Sequence, residues 1–427
     1  MKILLEGPIL TQSGYGEHTR LIYRALSTVN EIEIFINPLN WGLTGWADYF
    51  DKQEKQSIDA SIRNFSRISQ KAKATGQPMS FDLHIHVGIL NEYSRKSNNS
   101  IHITAGIEAD KISKNWILKT YKEPPNKIIF TSTHSHNAYL NTHYKGEANN
   151  READIYVNKK IETEVIPYPV KKTTPSHIDM DITTDFNFLS IALVSPRKNL
   201  HKMIEWFVEE FKNESVGLIL KMGMRTGCLL DRRKTIKELK NILKKYKDRK
   251  CKVYLLHGDL TDEQIHSLYI REDIHAYVTT TCGEGYGLPI FEAAYSGLPV
   301  VATDWSGHLD FLSAPYKESG KLKNKKLFAK LDYDLTPIPY EHLWEDVLED
   351  GASWAQVKPA SFKKQIRKVF QNYGMYKKWA TVLKDHISKT HSEDKINSQI
   401  INSIIPKLHA TKRNISKMQG YEDEVIL

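Results

Sequence analysis

The chain has 427 residues, of which 40% are hydrophobic and 26% charged, with a formal net charge of +9. That length exceeds one small core and predicts two domains of a globular protein. No apolar run approaches the ~18 residues that span a bilayer, and residues 1–6 are apolar for too short a stretch to be a signal peptide. Three cysteines, Cys228, Cys251 and Cys282, make no disulfide framework and fit a reducing, cytoplasmic setting. The positive charge implies an anionic partner: a nucleotide, an anionic membrane surface or nucleic acid.

Residues 3–5 read as a first buried strand. Ser13-Gly14-Tyr15-Gly16 follows as a Gly-rich loop, and residues 19–27 as the helix after it. Further strands are expected at 32–36, 83–86, 101–104, 127–131 and 164–166. The helical patterns between them predict a parallel sheet with crossovers. His84, His86 and His102 alternate with apolar residues on these strands and read as packed core. Trp41, Trp46 and Tyr49 either stack on sugars or bases or fill the core. Periodicity is lost over 171–179. A second alternation then begins: strand 186–194, helix 200–211, strand 216–222, helix 236–246, strand 252–256, and helix 262–269 with Thr261 as its N-cap. The expected division is a first domain over 1–172, a linker over 173–185 and a second domain over 186–372. Terminal helices within 373–408 (377–388 and 394–408) and a polar tail over 409–427 complete it.

Lys and Arg crowd residues 232–252, where Ile236, Leu239, Leu243 and Tyr246 recur at helical spacing. This is an amphipathic helix with a basic outer face. Such a face is either merely solvated or a docking surface for a polyanionic acceptor, DNA or an anionic membrane.

The most informative stretch is Thr281-Cys282-Gly283-Glu284-Gly285-Tyr286-Gly287-Leu288-Pro289-Ile290-Phe291-Glu292, between strands expected at 276–280 and 299–303. Gly285 and Gly287 let the backbone come close to a ligand. A helix opening near Leu288 presents its first N–H groups and the positive end of its dipole, which suits a phosphate. Glu284 and Glu292 bracket the turn. Carboxylates are badly placed to bind phosphate but accept hydrogen bonds from sugar hydroxyls. The pattern points to a nucleotide carrying sugars.

This segment resembles the signature of retaining glycosyltransferases of the GT-B fold, closest to glycosyltransferase family 4 (group 1). Those enzymes carry two glutamates separated by seven residues around a Gly-aromatic-Gly-Leu-Pro loop. The resemblance implies an α/β fold of two doubly wound Rossmann-like domains facing across a cleft, with C-terminal helices crossing back to the first domain. It implies Glu292 on the nucleotide ribose and Glu284 on the donor sugar. The backbone of Gly285, Tyr286, Gly287 and Leu288 would hold the diphosphate, and Gly14, Tyr15 and Gly16 would face it. The turn Ser195-Pro196-Arg197-Lys198-Asn199 is similar to the family's phosphate-binding turn, with Lys198 at its lysine. Many members carry an arginine earlier in that strand, where this chain has Ala192. Arg197 is the first substitute for that charge, and Lys221 and Arg225 the others.

Glu284, Lys198 and Arg197 are the expected catalytic set. Glu108 and Asp110 either bind acceptor hydroxyls, act as a base or stabilise a helix N-terminus. His308 is placed near the donor or is structural. Asp179-Met180-Asp181 matches a metal motif of the other glycosyltransferase fold by coincidence, since no strand precedes it. The activity implied is retaining transfer from a UDP- or GDP-linked sugar to a hydroxyl of a glycan or lipid-linked sugar, with no metal and no cofactor. The enzyme would be cytoplasmic or peripheral to a membrane. Two alternatives stay open: a phage-type DNA glycosyltransferase acting on a hydroxymethylated base, and a catalytically silent nucleotide-sugar or glycan-binding module.

Overall fold

The computed structural model describes residues 1–46, 52–148, 151–318 and 320–405. Tyr49, the tail from 409 and the end of the helix expected over 394–408 lie outside the described residues. The first half runs β1 (Lys2–Gly7), α1 (Gly14–Ser27), β2 (Glu33–Pro38), α2 (Lys52–Thr75), β3 (Leu83–Val87), β4 (Ser100–Thr104) and α3 (Lys114–Lys122). It continues through β5 (Lys127–Phe130), α4 (Thr133–Asn141), β6 (His143–Ala148), β7 (Arg151–Tyr156) and β8 (Glu162–Val165). Six of these strands form one parallel sheet in the order β2-β1-β3-β4-β5-β8. Ile3, Leu4 and Leu5 are all buried, as a strand covered by helices on both faces requires.

The second half runs β9 (Phe186–Leu193), α5 (Leu200–Phe211), β10 (Val216–Gly223), α6 (Leu229–Leu243), β11 (Lys252–Leu256), α7 (Asp262–Ile270), β12 (Ala276–Val278), α8 (Leu288–Ser296) and β13 (Val300–Thr303). Then come β14 (Ser313–Glu318), β15 (Lys321–Lys326), β16 (Ala329–Leu331), β17 (Tyr333–Pro337), β18 (Ser353–Val357), α9 (Pro359–Gln371), α10 (Tyr373–Thr390) and α11 (Glu393–Ile404). Its parallel sheet has the order β11-β10-β9-β12-β13-β16. Both halves are doubly wound and Rossmann-like, as the sequence pattern predicts. Thr261 caps α7 through a full capping box with Gln264.

The structure departs from expectation in several places. Ser13-Gly14-Tyr15-Gly16 is not a loop: α1 starts at Gly14, and the Ser13 hydroxyl caps it by accepting from the Gly16 N–H at 3.0 Å. The antiparallel pairs β6–β7, β14–β15 and β17–β18 were not expected. The last helix, α11, crosses back to the first domain. Ser403 on α11 receives a hydrogen bond from the Lys127 amine at 3.1 Å and donates to Glu164 at 2.6 Å. By contrast, α10 lies against α8, where the Lys377 amine bonds the Gly297 carbonyl at 2.9 Å. The basic helix α6 buries Asp231, Thr235 and Leu239 and leaves Arg232, Arg233, Lys234, Lys237 and Lys240 exposed.

His84, His86 and His102 are buried in the first sheet and joined by polar contacts. His84 Nε2 lies 2.8 Å from Glu6, and His86 Nδ1 lies 3.0 Å from His102 Nδ1. No helix among the described residues is long and apolar enough to cross a membrane.

In open α/β sheets, ligands sit outside the C-terminal ends of the strands where the winding reverses. In the first sheet that place is between β1 and β3, and in the second between β9 and β12. The loops leaving β4, β9 and β12 meet across the cleft between the two sheets.

Candidate active site

The turn after β9 is a short 3-10 segment, Pro196–Lys198, closed by Asn199 in the left-handed region (φ 53°). It is pinned to the signature loop after β12: the Cys282 N–H donates to the Arg197 carbonyl at 2.7 Å. This presents Arg197 and Lys198 side by side to Glu284. Arg197 Nη1 lies 3.2 Å from Glu284 Oε1, and the Lys198 amine bonds the same oxygen. Arg197 Nη1 also donates to the Gly283 carbonyl at 2.6 Å, and its Nη2 pairs with Glu108 across the cleft at 2.7 Å. Arg197, the first substitute for the second positive charge, thus lies beside Lys198 at Glu284. Lys221, on β10, lies instead beside Asp259, and burial lowers its pKa. Arg225 is exposed, and its backbone N–H is held by Asp231 at 2.7 Å.

Burial works to raise the pKa of Glu284, but Lys198 and Arg197 outweigh it and hold the carboxylate at about 2. Burial also works against the charge of Arg197; Glu108 and Glu284 reverse that and raise its pKa. Glu108 goes the other way: burial raises it, Arg197 opposes, and the nearby Glu284 adds to the rise. The cluster thus holds two cations and two carboxyl groups, with Arg197 bridging the domains.

The backbone of Glu284 is fixed as firmly as its side chain. Its N–H donates to Ser306 Oγ at 3.0 Å. Ser306 in turn lies 3.3 Å from His308 Nδ1, and His308 Nε2 lies 2.7 Å from the Thr303 carbonyl. A carbonyl only accepts, so Nε2 carries the proton and Nδ1 accepts from the Ser306 hydroxyl. Both ring nitrogens of His308 are thus committed, and burial lowers its pKa. His308 thus stands behind Glu284, linked to it through Ser306. Ser306 itself stands at φ 89°.

The two glycines of the signature have different work. At Gly285 a Cβ would collide with the Ala105 carbonyl of the first domain, and the Gly285 carbonyl accepts from Ser132 Oγ at 2.5 Å. The close approach that the sequence suggested for a ligand is here made by the chain's own backbone. Gly287, at φ 92°, turns the chain into α8. At the start of α8, Pro289 has no N–H and the Ile290 and Phe291 N–H groups donate to the Gly287 carbonyl at 3.0 Å, so the turn offers a ligand the Leu288 N–H and the positive end of the helix dipole. The Tyr286 side chain is buried against Tyr168, Phe291 and Phe311, so only its backbone faces the turn.

Glu292, one turn into α8, accepts from the Tyr269 hydroxyl at 3.0 Å. Burial raises its pKa to about 7. Its charged surroundings include Asp262, Lys171 and Glu17, and Lys171 bonds Asp262. Lys171 sits at the end of the first domain, where the periodicity is lost and no sequence signal marked it. Asp110 is engaged elsewhere. It exchanges hydrogen bonds with the backbone of Ser353, at 2.6 and 3.0 Å, and so straps the first domain to β18. Tyr15, buried on α1, bonds Thr104 at 3.0 Å. Gly14 faces open space, and its carbonyl lies 3.5 Å from the Tyr168 hydroxyl. Gly16 is packed against the Thr11 backbone.

Arg197, Lys198, Glu284 and Glu108 therefore converge, Glu292 lies one helical turn along α8, and Lys221, Asp110 and His308 have other partners. Residues 180–320 match the family described as "Glycosyl transferases group 1". The chain carries a glycosyltransferase group 1 domain. No curated protein sequence matches it. Among solved structures it is similar to Anabaena HepE in complex with UDP and glucose, at 15% identity and a TM-score of 0.55 over 94% of this chain and 99% of that one. It is similar to Thermosynechococcus elongatus sucrose-phosphate synthase at 13% identity, TM-score 0.59, over 96% and 100% of the two chains. The E. coli trehalose-6-phosphate structure bound with UDP-2-fluoro glucose gives 10% identity and a TM-score of 0.58, over 95% and 99%. These likenesses show the GT-B fold.

Proposed function

We propose that this glycosyltransferase moves a hexose from a UDP-linked donor to an acceptor hydroxyl, with retention of anomeric configuration and without a metal ion. One observation carries the reading: Arg197, Lys198 and Glu284 meet where the winding-reversal points of two Rossmann-like sheets face each other. A departing nucleoside diphosphate needs positive charge preorganised where its own charge grows. Lys198, Arg197 and the positive end of the α8 dipole would supply it there. Glu284, kept ionised by those cations, accepts hydrogen bonds from donor-sugar hydroxyls. Glu292, one helical turn along α8, would take the ribose hydroxyls. HepE and the E. coli structure hold UDP with glucose and UDP-2-fluoro glucose, which supports UDP over GDP.

Retention is supported by where the carboxyl groups are engaged. Glu284 and Glu108 are both bound to Arg197, so neither stands free as a nucleophile. Front-face attack follows, with the acceptor proton passing to the departing phosphate.

The test is UDP release from UDP-glucose in chelator-treated buffer, with the product anomer read by NMR. Acceptor-stimulated release that gives the α-anomer and vanishes in Glu284→Ala is the expected result. A β-linked product, or release restored only by added divalent metal, would overturn retention or metal independence respectively.

A further inference from the structure

Between β17 and β18 the chain makes an excursion over residues 338–352 that reaches the first domain. Asp346 stands at its tip with φ 65°, a conformation uncommon outside glycine. Its carboxylate accepts from Asn115 Nδ2 at 2.6 Å and Asn91 Nδ2 at 3.1 Å, and its carbonyl from Trp116 Nε1 at 2.8 Å. Trp344 and Leu348 exchange backbone hydrogen bonds at 3.0 and 2.7 Å. Leu343, Val347 and Leu348 pack with Ile338, Ala352 and Trp354. The excursion is anchored at its tip and its base, yet it leaves Trp344 56% exposed.

Trp344 stacks on Trp41, with ring centroids 6.1 Å apart and planes inclined by 26°. Trp41 meets Tyr15 edge-on at 5.2 Å. The Tyr15 hydroxyl bonds Thr104 at the end of β4, the strand that leads to Glu108 and so to Arg197 and Glu284. An aromatic row, built by both domains, runs from solvent to the charged cluster.

We propose that this row is the acceptor platform, and that the acceptor is a glycan whose uncharged sugar ring stacks on Trp344. The proposal rests on the transferase reading above and names its acceptor class. An indole held rigid in water gains from covering its face, and the C–H face of a pyranose offers a flat apolar surface at no cost in loop ordering. Charge selects the occupant. Although the whole chain is positive, the excursion carries Glu341, Glu345, Asp346, Glu349 and Asp350. That local field repels a phosphate backbone or an anionic headgroup. Among them, the exposed Glu341 and Glu345 carboxylates can accept hydrogen bonds from sugar hydroxyls. The exposed cations of α6 lie on a different element.

The test titrates the full chain, Trp344→Ala and Trp344→Phe with neutral trisaccharides of glucose, galactose, mannose and N-acetylglucosamine in both anomeric linkages. A hydroxymethylated DNA duplex is titrated in parallel. Binding is read by saturation transfer to ligand protons, with no turnover needed. The expected result is that at least one trisaccharide binds, that Trp344→Ala weakens it about 10-fold, and that Trp344→Phe largely restores it. Matching melting temperatures show that both variants fold. The platform is overturned if no trisaccharide binds the wild type, if Trp344→Ala binds as the wild type does, or if only the duplex binds. UDP-glucose hydrolysis on the same samples reads the transferase separately. Trp344-dependent glycan binding without hydrolysis would support the stacking site and sink the transferase; hydrolysis without glycan binding would do the reverse.

Discussion

Glu284 is held from three sides: Lys198 and Arg197 on the carboxylate, and Ser306 on the backbone N–H. On the proposed mechanism Lys198→Ala removes a cation from the leaving diphosphate, and turnover of UDP-glucose should fall about 10²–10³-fold. Arg197 still pairs with Glu284 in that variant, so the fold should survive, which a melting curve checks. Glu292 carries a different signature. Its pKa is raised by burial to about 7. A carboxyl group raised in the folded state stabilises the fold most below the ordinary carboxylate range, and that contribution is lost as pH rises through the folded value. The melting temperature should therefore fall between pH 5 and 8, in the window from the ordinary carboxylate range to about 7. Glu292→Gln should flatten that slope. Ribose hydroxyls donate best to the ionised form, so UDP-glucose affinity should move oppositely, rising through about pH 7 in the wild type only. Calorimetry of both proteins across that range decides it. A wild-type affinity that is flat with pH would remove Glu292 from the ribose.

The elements that position these side chains differ in how plainly the sequence shows them. The strands of both sheets are short apolar runs between turn residues, and the loops on which the signature and Lys198 sit follow directly from them. Chemistry confined to one segment, such as Glu284 with Glu292 or Arg197 with Lys198, is legible because its spacing is local. Contacts between distant segments are not. Nothing near Asp110 announces a strap to Ser353, and nothing near Asp346 announces four polar partners on the first domain. The Gly-rich stretch at 14–16 misleads because a Ser followed by glycines reads equally as a loop or as a capped first turn, and the Ser13 cap decides for the helix. Gly285 shows the same limit. Its requirement comes from Ala105, 180 residues earlier in the chain. Gly285→Ala should consequently act as overpacking between two elements, at about 1–3 kcal/mol or more. Chemical denaturation should show this loss together with a fall in turnover. Unchanged stability would mean that the loop after β4 yields freely.

At the scale of the molecule, the described state is closed. Glu108 pairs with Arg197 at 2.7 Å, the Thr133 N–H donates to Asp310 at 2.6 Å, Ser132 bonds the Gly285 carbonyl at 2.5 Å, and Asp346 is clamped by Asn91 and Asn115. On the proposed mechanism a diphosphate takes Lys198 and Arg197 from the carboxylates they now hold, and breaking the Glu108–Arg197 pair would let the domains part for the donor and close again around it. The Glu108–Arg197 pair is the contact that couples the two steps, because the same guanidinium serves the interdomain bond and the leaving group. Glu108→Gln keeps the size of the side chain and removes its charge. Losing a charge-assisted bond of this kind costs about 1.5–3 kcal/mol, enough to move a two-state opening equilibrium at least 10-fold. Small-angle scattering should then show a larger radius of gyration for the unliganded variant than for the wild type, and UDP-glucose should bring the two together. If the variant and the wild type scatter alike without ligand, the Asp110–Ser353 and Asp346 clamps carry the closure, and the double variant with Asp346→Ala should be the one that opens.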